Sequence, residues 1–271
     1  EWWDGEKKLV FYAMNCNNVN PITGGSTVSD IPFYLAVQQG KVPGYSIINK
    51  FGYNSSIGSG AFETIWEPGS TIIFQTSAQT LSVVSSSAND VAAGTGARTL
   101  RIQGLDSSFN LLETTITLTG TTPVVTTGIE FIRVFRMSVE TAGSTGNNVG
   151  NITVTYSSTT DTAAYIDAAN GQTLMTVYTV PNGYTGYLLS LNVSSGKDQE
   201  MIFKVITRDN TITDAGFQTK QYLEVRGGLT SVNFPDGGAY GEKTDIQVTG
   251  LASSTSSASA TFDLLLVQDG Y

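Results

Sequence analysis

The chain has 271 residues, 40% of them hydrophobic and only 14% charged, with a formal net charge of −9 and no histidine. That is enough apolar material for a packed core, while Ser-His-Asp triads, Cys-His pairs and imidazole-ligated zinc or iron are excluded. The 14 Lys and Arg residues are scattered, which argues against the clustered basic surface of a nucleic-acid binder.

No apolar run approaches the roughly 20 residues of a membrane helix, and the single Cys16 excludes an intramolecular disulfide. No secretory signal pattern is visible, and residue 1 is Glu rather than Met, which leaves a preceding segment open. Ser, Thr, Gly and Asn fill the places that charged residues usually take, a composition suited to β-structure with short turns.

Residues 1–60 are the least regular part. Trp2, Trp3, Phe11, Tyr12, Phe33 and Tyr34 lie among Asn, Gly and Pro, and Tyr45 and Phe51 follow. A short strand is expected over 9–14. A strand or a helical turn is expected over 30–38, with Ser29 or Asp30 as its cap. The whole of 1–60 reads as an extended N-terminal arm. Its aromatics, with Trp66 just beyond, either anchor on a neighbouring molecule or pack on the chain's own sheets.

Strands are next expected at 72–76, 81–85, 99–104, 111–118, 123–127, 131–140 and 151–156, separated by the turn-like clusters SSSAND, AAGTGA, LDSSFN, TGTT and AGSTGNN. The clearest run is 97–139. Leu100, Ile102 and Leu105 nearly alternate with Thr99, Arg101 and Gln103, which puts one strand face on a core and one in water. Over 131–139 both faces are apolar: Phe131, Phe135, Met137 and Val139 on one, Ile132 and Val134 on the other. A central strand is expected there. These elements define a first antiparallel sandwich over 61–158.

The polar STTDT at 158–162 reads as a hinge. A second sandwich, 159–271, has strands expected at 163–167, 173–180, 185–193, 201–208, 217–225, 230–234, 244–249 and 258–267, a number that suits a jelly roll. Pro181-Asn182-Gly183 is a turn signal between two of them. A loose echo relates 122–139 to 176–193. The expected fold class is all-β: two antiparallel β-sandwich domains, Ig-like or jelly-roll-like, preceded by the extended arm.

Carboxylates are the general acid–base candidates that remain. Glu63, Glu67, Asp106 and Glu113 are the obvious ones, but a retaining hydrolase needs two carboxyls about 5 Å apart in a cleft, and solvated or turn roles are the plainer reading. RDNTITDAG offers Asp209, Asn210 and Asp214 as oxygen ligands without the EF-hand pattern. GTGAR and GGAYGEK lack the Walker spacing. No catalytic, cofactor or metal residue is therefore assigned. Arg133 stands on an apolar strand face. It either pairs with an acid at a domain or subunit interface or lies at an edge with its head in water.

Five stretches resemble a known family. They are KFGYNSSIGSGAFETIWEPGS, TLSVVSSSANDVAAGTGARTLRIQGLDSSFNLLETTITLTG, TTGIEFIRVFRMSVETAGSTGNNVGNITV, GQTLMTVYTVPNGYTGYLLSLNV and KTDIQV. The family is that of uncharacterised β-sandwich virion structural proteins of marine tailed bacteriophages, and the likeness spans residues 42–271. The resemblance implies a virion protein without enzymatic activity or cofactor, of the capsid decoration, cement or head–neck type. Its partners would be the major capsid protein or other virion proteins. It would form a homo-oligomer, with a trimer favoured, and engage neither nucleic acid nor membrane. The interface candidates are then Trp2, Trp3, Phe11, Tyr12, Phe33, Tyr34, Tyr45, Phe51, Trp66 and Arg133. The alternative is a tail-tip or fibre module that binds host glycans through Tyr178, Tyr184 and Tyr187, or through Tyr240.

Overall fold

The computed structural model describes residues 31–234 and 238–271. Trp2, Trp3, Phe11, Tyr12 and Cys16, the strand expected at 9–14 and the cap candidates Ser29 and Asp30 lie outside the described residues.

Among the described residues, one short helix, α1 (Phe33–Gln38), comes first. Its N-cap position is Pro32, which makes no side-chain cap bond. The strands follow in the order β1 (Tyr45–Ile57), β2 (Glu63–Thr64), β3 (Leu81–Ser85), β4 (Ala97–Leu105), β5 (Leu111–Thr117), β6 (Val124–Val125), β7 (Arg133–Ala142) and β8 (Ile152–Tyr156). Then come β9 (Thr162–Ile166), β10 (Val177–Thr179), β11 (Tyr184–Asp209), β12 (Gln218–Asn233), β13 (Ala239–Tyr240), β14 (Thr244–Ala252) and β15 (Ser256–Gln268). The ladders are antiparallel, so the chain is all-β, as its composition and alternation indicate.

The first block is a sandwich of two sheets, β6-β3-β8-β9 and β5-β4-β7. Leu81 and Val83 on β3, Leu100 and Ile102 on β4, Met137 on β7 and Ile152 and Val154 on β8 meet in its core. Each such fully buried side chain contributes roughly 1.5–3 kcal/mol. The opposite face of β4 points outward, where Arg101 pairs with Glu113 at 2.7 Å.

On β7 both faces are covered, but the expected partition of side chains is corrected. Phe131, Val134 and Met137 enter the first block's core, whereas Ile132 and Phe135 enter the core of the second block. The register slips between Gln103↔Arg136 and Gly104↔Val134, leaving Phe135 as an extra, bulged residue. A bulge resets the alternation, so residues three apart come to share a face. Gly104 sits at this bulge, and a Cβ there would lie 2.0 Å from the carbonyl oxygen of Arg133. Gly104→Ala is expected to lower stability by about 1–3 kcal/mol through overpacking, read as a lower urea midpoint; an unchanged midpoint would show that β7 can move aside.

The second block is built on one sheet with the path β1-β15-β11-β14-β10; β12 and β13 join β11, and β2 joins β14. β11 is 26 residues long. Its first half pairs with β15, from Tyr184↔Gln268 to Ser195↔Ala258, and its second half pairs with β14, from Met201↔Ala252 to Asp209↔Thr244. β12 runs along the other side of both halves. β14 therefore continues into β15 beside β11, and the three-stranded ribbon turns a corner between them. The corner falls where β12 carries Gly227 and Gly228, both with positive φ, a conformation glycine adopts at little steric cost.

Bending folds the two halves of the ribbon over one core. Leu188, Leu191, Val193, Phe262 and Leu264 come from one half, and Met201, Phe203, Val205, Ile246 and Val248 from the other. A long hairpin doubled over its own apolar face is the jelly-roll solution to closing a sandwich. The strands expected separately at 185–193 and 201–208 are thus one, as are those at 217–225 and 230–234.

The domain bounds also change. Within the expected arm 1–60, β1 is a full strand, paired with β15 from Tyr45↔Val267 to Asn54↔Ala258. Its alternation is hard to read because Lys50, Gly52 and Asn54 are among its buried residues. β9, expected in the second sandwich, pairs with β8 in the first. The first block is consequently an insertion between β2 and β10, and the second block is assembled from both ends of the described chain.

Candidate functional site

The densest polar cluster among the described residues lies between the two blocks. Arg133, at the start of β7, crosses to Asp245 on β14 in a bidentate pair, Nε to Oδ1 at 2.8 Å and Nη2 to Oδ2 at 3.0 Å. Its Nη1 donates to the carbonyl oxygens of Gln75 and Ile132 at 2.7 and 2.8 Å. Arg208, on β11, reaches the same Oδ2 through Nη2 at 2.7 Å. Asn210 Nδ2 donates to Oδ2 at 2.9 Å, and Thr179 Oγ1 donates to Oδ1 at 2.7 Å.

The Asp245 side chain is wholly buried and that of Arg133 is 5% exposed. Burial pushes the Asp245 carboxyl up, but Arg133 and the hydrogen bonds from Arg133, Asn210 and Thr179 outweigh it and hold the carboxyl below its ordinary value. Phe74 is close to both guanidinium groups, 5.0 Å from Arg133 and 5.3 Å from Arg208. The Phe109 ring lies 5.3 Å from Arg133, and the Phe217 ring, itself 5.5 Å from Phe74, lies 4.7 Å from Arg208. Aromatic faces favour cations, so the second positive charge, left over after the Arg133–Asp245 pair, is also accommodated. The Pro181 turn adds to the junction, with Asn182 N donating to Phe109 O at 2.9 Å. Chemically this arrangement is a latch: every acceptor lone pair of Asp245 is engaged by a protein donor.

Other sequence candidates are placed apart. Glu63 shapes its own turn, accepting from Gly58 N at 3.0 Å and Ser70 N at 3.2 Å. Burial raises the Glu67 carboxyl, and Asn170 donates to it. Asp106 caps a turn through Ser108 N and Asn110 N. Glu113 is held by Arg101 and Gln103. In RDNTITDAG, Asp209 is engaged by Thr211 and Asn210 by the latch. No group of three or more metal-ligating side chains occurs among the described residues, and no helix there is long and apolar enough to cross a membrane.

Of the interface candidates, Phe33 and Tyr34 on α1 are 46% and 50% exposed, and Phe33 meets Tyr34 and Tyr45 edge-on. Phe51 is half-buried beneath the Arg136 guanidinium at 5.7 Å. Trp66 packs on the chain's own sheets, in a small core with Ile72, Met175 and Val177, and its Nε1 donates to Gly69 O at 2.7 Å. Tyr178 is buried in the second block's core and Tyr240 packs against it, so neither offers an open aromatic platform.

Two polar residues escaped the sequence reading. Asp90, within SSSAND, is fully buried and accepts from Ala97 N, Val149 N, Gly150 N and Ser85 Oγ at 2.6–2.9 Å. Lys50 is also buried, and burial together with Arg136 lowers its ammonium well below the ordinary lysine value. An aspartate among serines reads like any turn residue, and a lysine on a weakly alternating strand reads as solvated; neither carries a local signal of burial.

No protein-family model matches the chain, and no curated protein matches it. Among solved structures, the chain is similar to cowpea mosaic virus top component, the naturally occurring empty particles, at 8% identity and TM-score 0.20, covering 72% of this chain and 82% of that one. It is also similar to infectious bursal disease virus, Gx strain, at 9% identity and TM-score 0.21, covering 83% and 72%. The Gt strain gives 10% identity and TM-score 0.19, covering 89% and 79%. At such scores these likenesses carry no argument about what the chain does.

Proposed function

We propose that the protein is a non-enzymatic structural component of a virus particle, a capsid decoration or cement protein or a head–neck element. It works as a homo-oligomer, with a trimer favoured, on the major capsid protein or another virion protein. The sequence resemblance supplies the setting, and the observation that carries the reading is the free edge of β12. β12 is 16 residues long and is hydrogen-bonded along one side to β11; no described strand pairs with its other side. Along it, Tyr222 is 50% and Leu229 71% exposed.

A long edge with apolar side chains is a template for another strand or surface. Such contact is what a cementing protein needs, and the rigid folded ribbon behind it supplies the support. Removing both exposed anchors in a Tyr222→Lys, Leu229→Asp variant should leave the fold intact by circular dichroism. Its co-sedimentation with particles is expected to weaken at least about tenfold, the equivalent of 1.4 kcal/mol. Wild-type co-sedimentation by the folded variant, or failure of cryo-electron microscopy to locate the chain on the particle, would overturn the reading.

A further inference from the structure

A second feature, independent of particle binding, is lined by none of the latch residues. A cleft of about 560 Å³ opens between β1 and the first block. That volume is in the range of small-molecule sites, which favour domain junctions. Lys50, Arg136, Asn49, Gln103, Phe135 and Tyr184 are among its lining residues.

The two cations cross the junction reciprocally. Lys50 Nζ, from β1, donates to the carbonyl oxygen of Phe135 on β7, and Arg136 Nη2, from β7, donates to the carbonyl oxygen of Asn49 on β1 at 2.5 Å. Neither is paired with a carboxylate among the described residues. Glu113 also lines the cleft, but it is committed to Arg101. In a chain of net charge −9, this cleft sets buried Lys50, whose ammonium is disfavoured by burial and by Arg136, beside the Arg136 guanidinium. Like charges brought together out of water are costly; an anion seated between the two groups offsets that cost and favours the protonated form of Lys50.

We propose that this cleft binds a small sugar acid, its carboxylate received by Lys50 and Arg136. Charge-assisted hydrogen bonds to a carboxylate are the strong ones. The half-buried Tyr184 ring supplies an apolar face for the sugar ring, and the amide oxygens of Asn49 and Gln103, whose nitrogens donate to Asp263 and Glu113, accept from its hydroxyls. A sulfated sugar presents similar chemistry, so sulfate serves as a competitor.

The test is titration calorimetry of the full chain with D-glucuronate and, as the uncharged control, D-glucose. Saturable glucuronate binding is expected, with glucose at least about tenfold weaker and with sulfate competing. Arg136→Gln, at a partly exposed position, and Lys50→Met, of similar volume, should each weaken glucuronate about tenfold. If one variant fails to fold, the other decides. No saturation with glucuronate, equal binding of glucose, or full glucuronate binding by a folded variant overturns the proposal. Particle co-sedimentation of Arg136→Gln should stay at the wild-type level, which keeps this test separate from that of the β12 edge.

Discussion

Asp245→Ala is expected to remove about 3–5 kcal/mol of stability, because breaking a buried ion pair from one side leaves its partner charged and unsatisfied. Here two arginines are left, one of them almost fully buried, along with the donors of Asn210 and Thr179. Denaturant unfolding measures the loss. Replacing the whole cluster behaves differently. A triple variant, Asp245→Leu with Arg133→Met and Arg208→Met, should recover most of the stability, since apolar groups of similar volume carry no desolvation cost. A loss below about 1 kcal/mol in Asp245→Ala, the level of an exposed pair, would show that water reaches the latch.

The same carboxylate sets a pH dependence. Its folded-state affinity for protons is depressed relative to an ordinary value of 3.8. Its stabilisation is therefore fully present above that value and is lost as pH falls through the lower folded-state value. Between pH 5 and pH 2 the wild type should lose stability more steeply than Asp245→Asn, which has no proton to take up at this position. Parallel acid-unfolding curves for the two proteins would contradict the assignment.

Asp90→Ala is the second substitution expected to be severe. It strips an acceptor from three backbone amides and from Ser85 at a position with no exposure. Each buried donor left unmet costs about 1–3 kcal/mol, so a loss of roughly 3 kcal/mol or more is expected. The readout is local as well as global: the amides of Ala97, Val149 and Gly150 should lose hydrogen-exchange protection before the rest of β4 does. Asp90→Asn, which keeps one acceptor oxygen, should fall between. Unaltered protection at those three amides would show that water replaces the carboxylate.

Both residues illustrate what a linear reading can see. The burial rule makes Arg133 conspicuous, since a cation on an apolar strand face needs an acid. It does not say that the acid is Asp245, 112 positions away, because that pairing is set by how the inserted block docks on the folded ribbon. Asp90 and Lys50 were illegible for the converse reason: most of the partners of Asp90, and the carbonyl that Lys50 reaches, are backbone groups, which carry no residue-type signature.

The all-β class, the alternation of β4 and the turn at Pro181 were all legible in the sequence, because strand pleating and turn geometry depend on neighbouring residues. The union of 184–209 into one strand was not, nor was the recruitment of β1 to the edge of β15, nor the bulge at Phe135 that sends it to a different core from Met137. Each depends on a partner strand far away in the chain, and only the docking of the two blocks selects the register. Local alternation determined that this chain makes sheets; the doubling of β11 over its own core decided which sheets, and what they enclose.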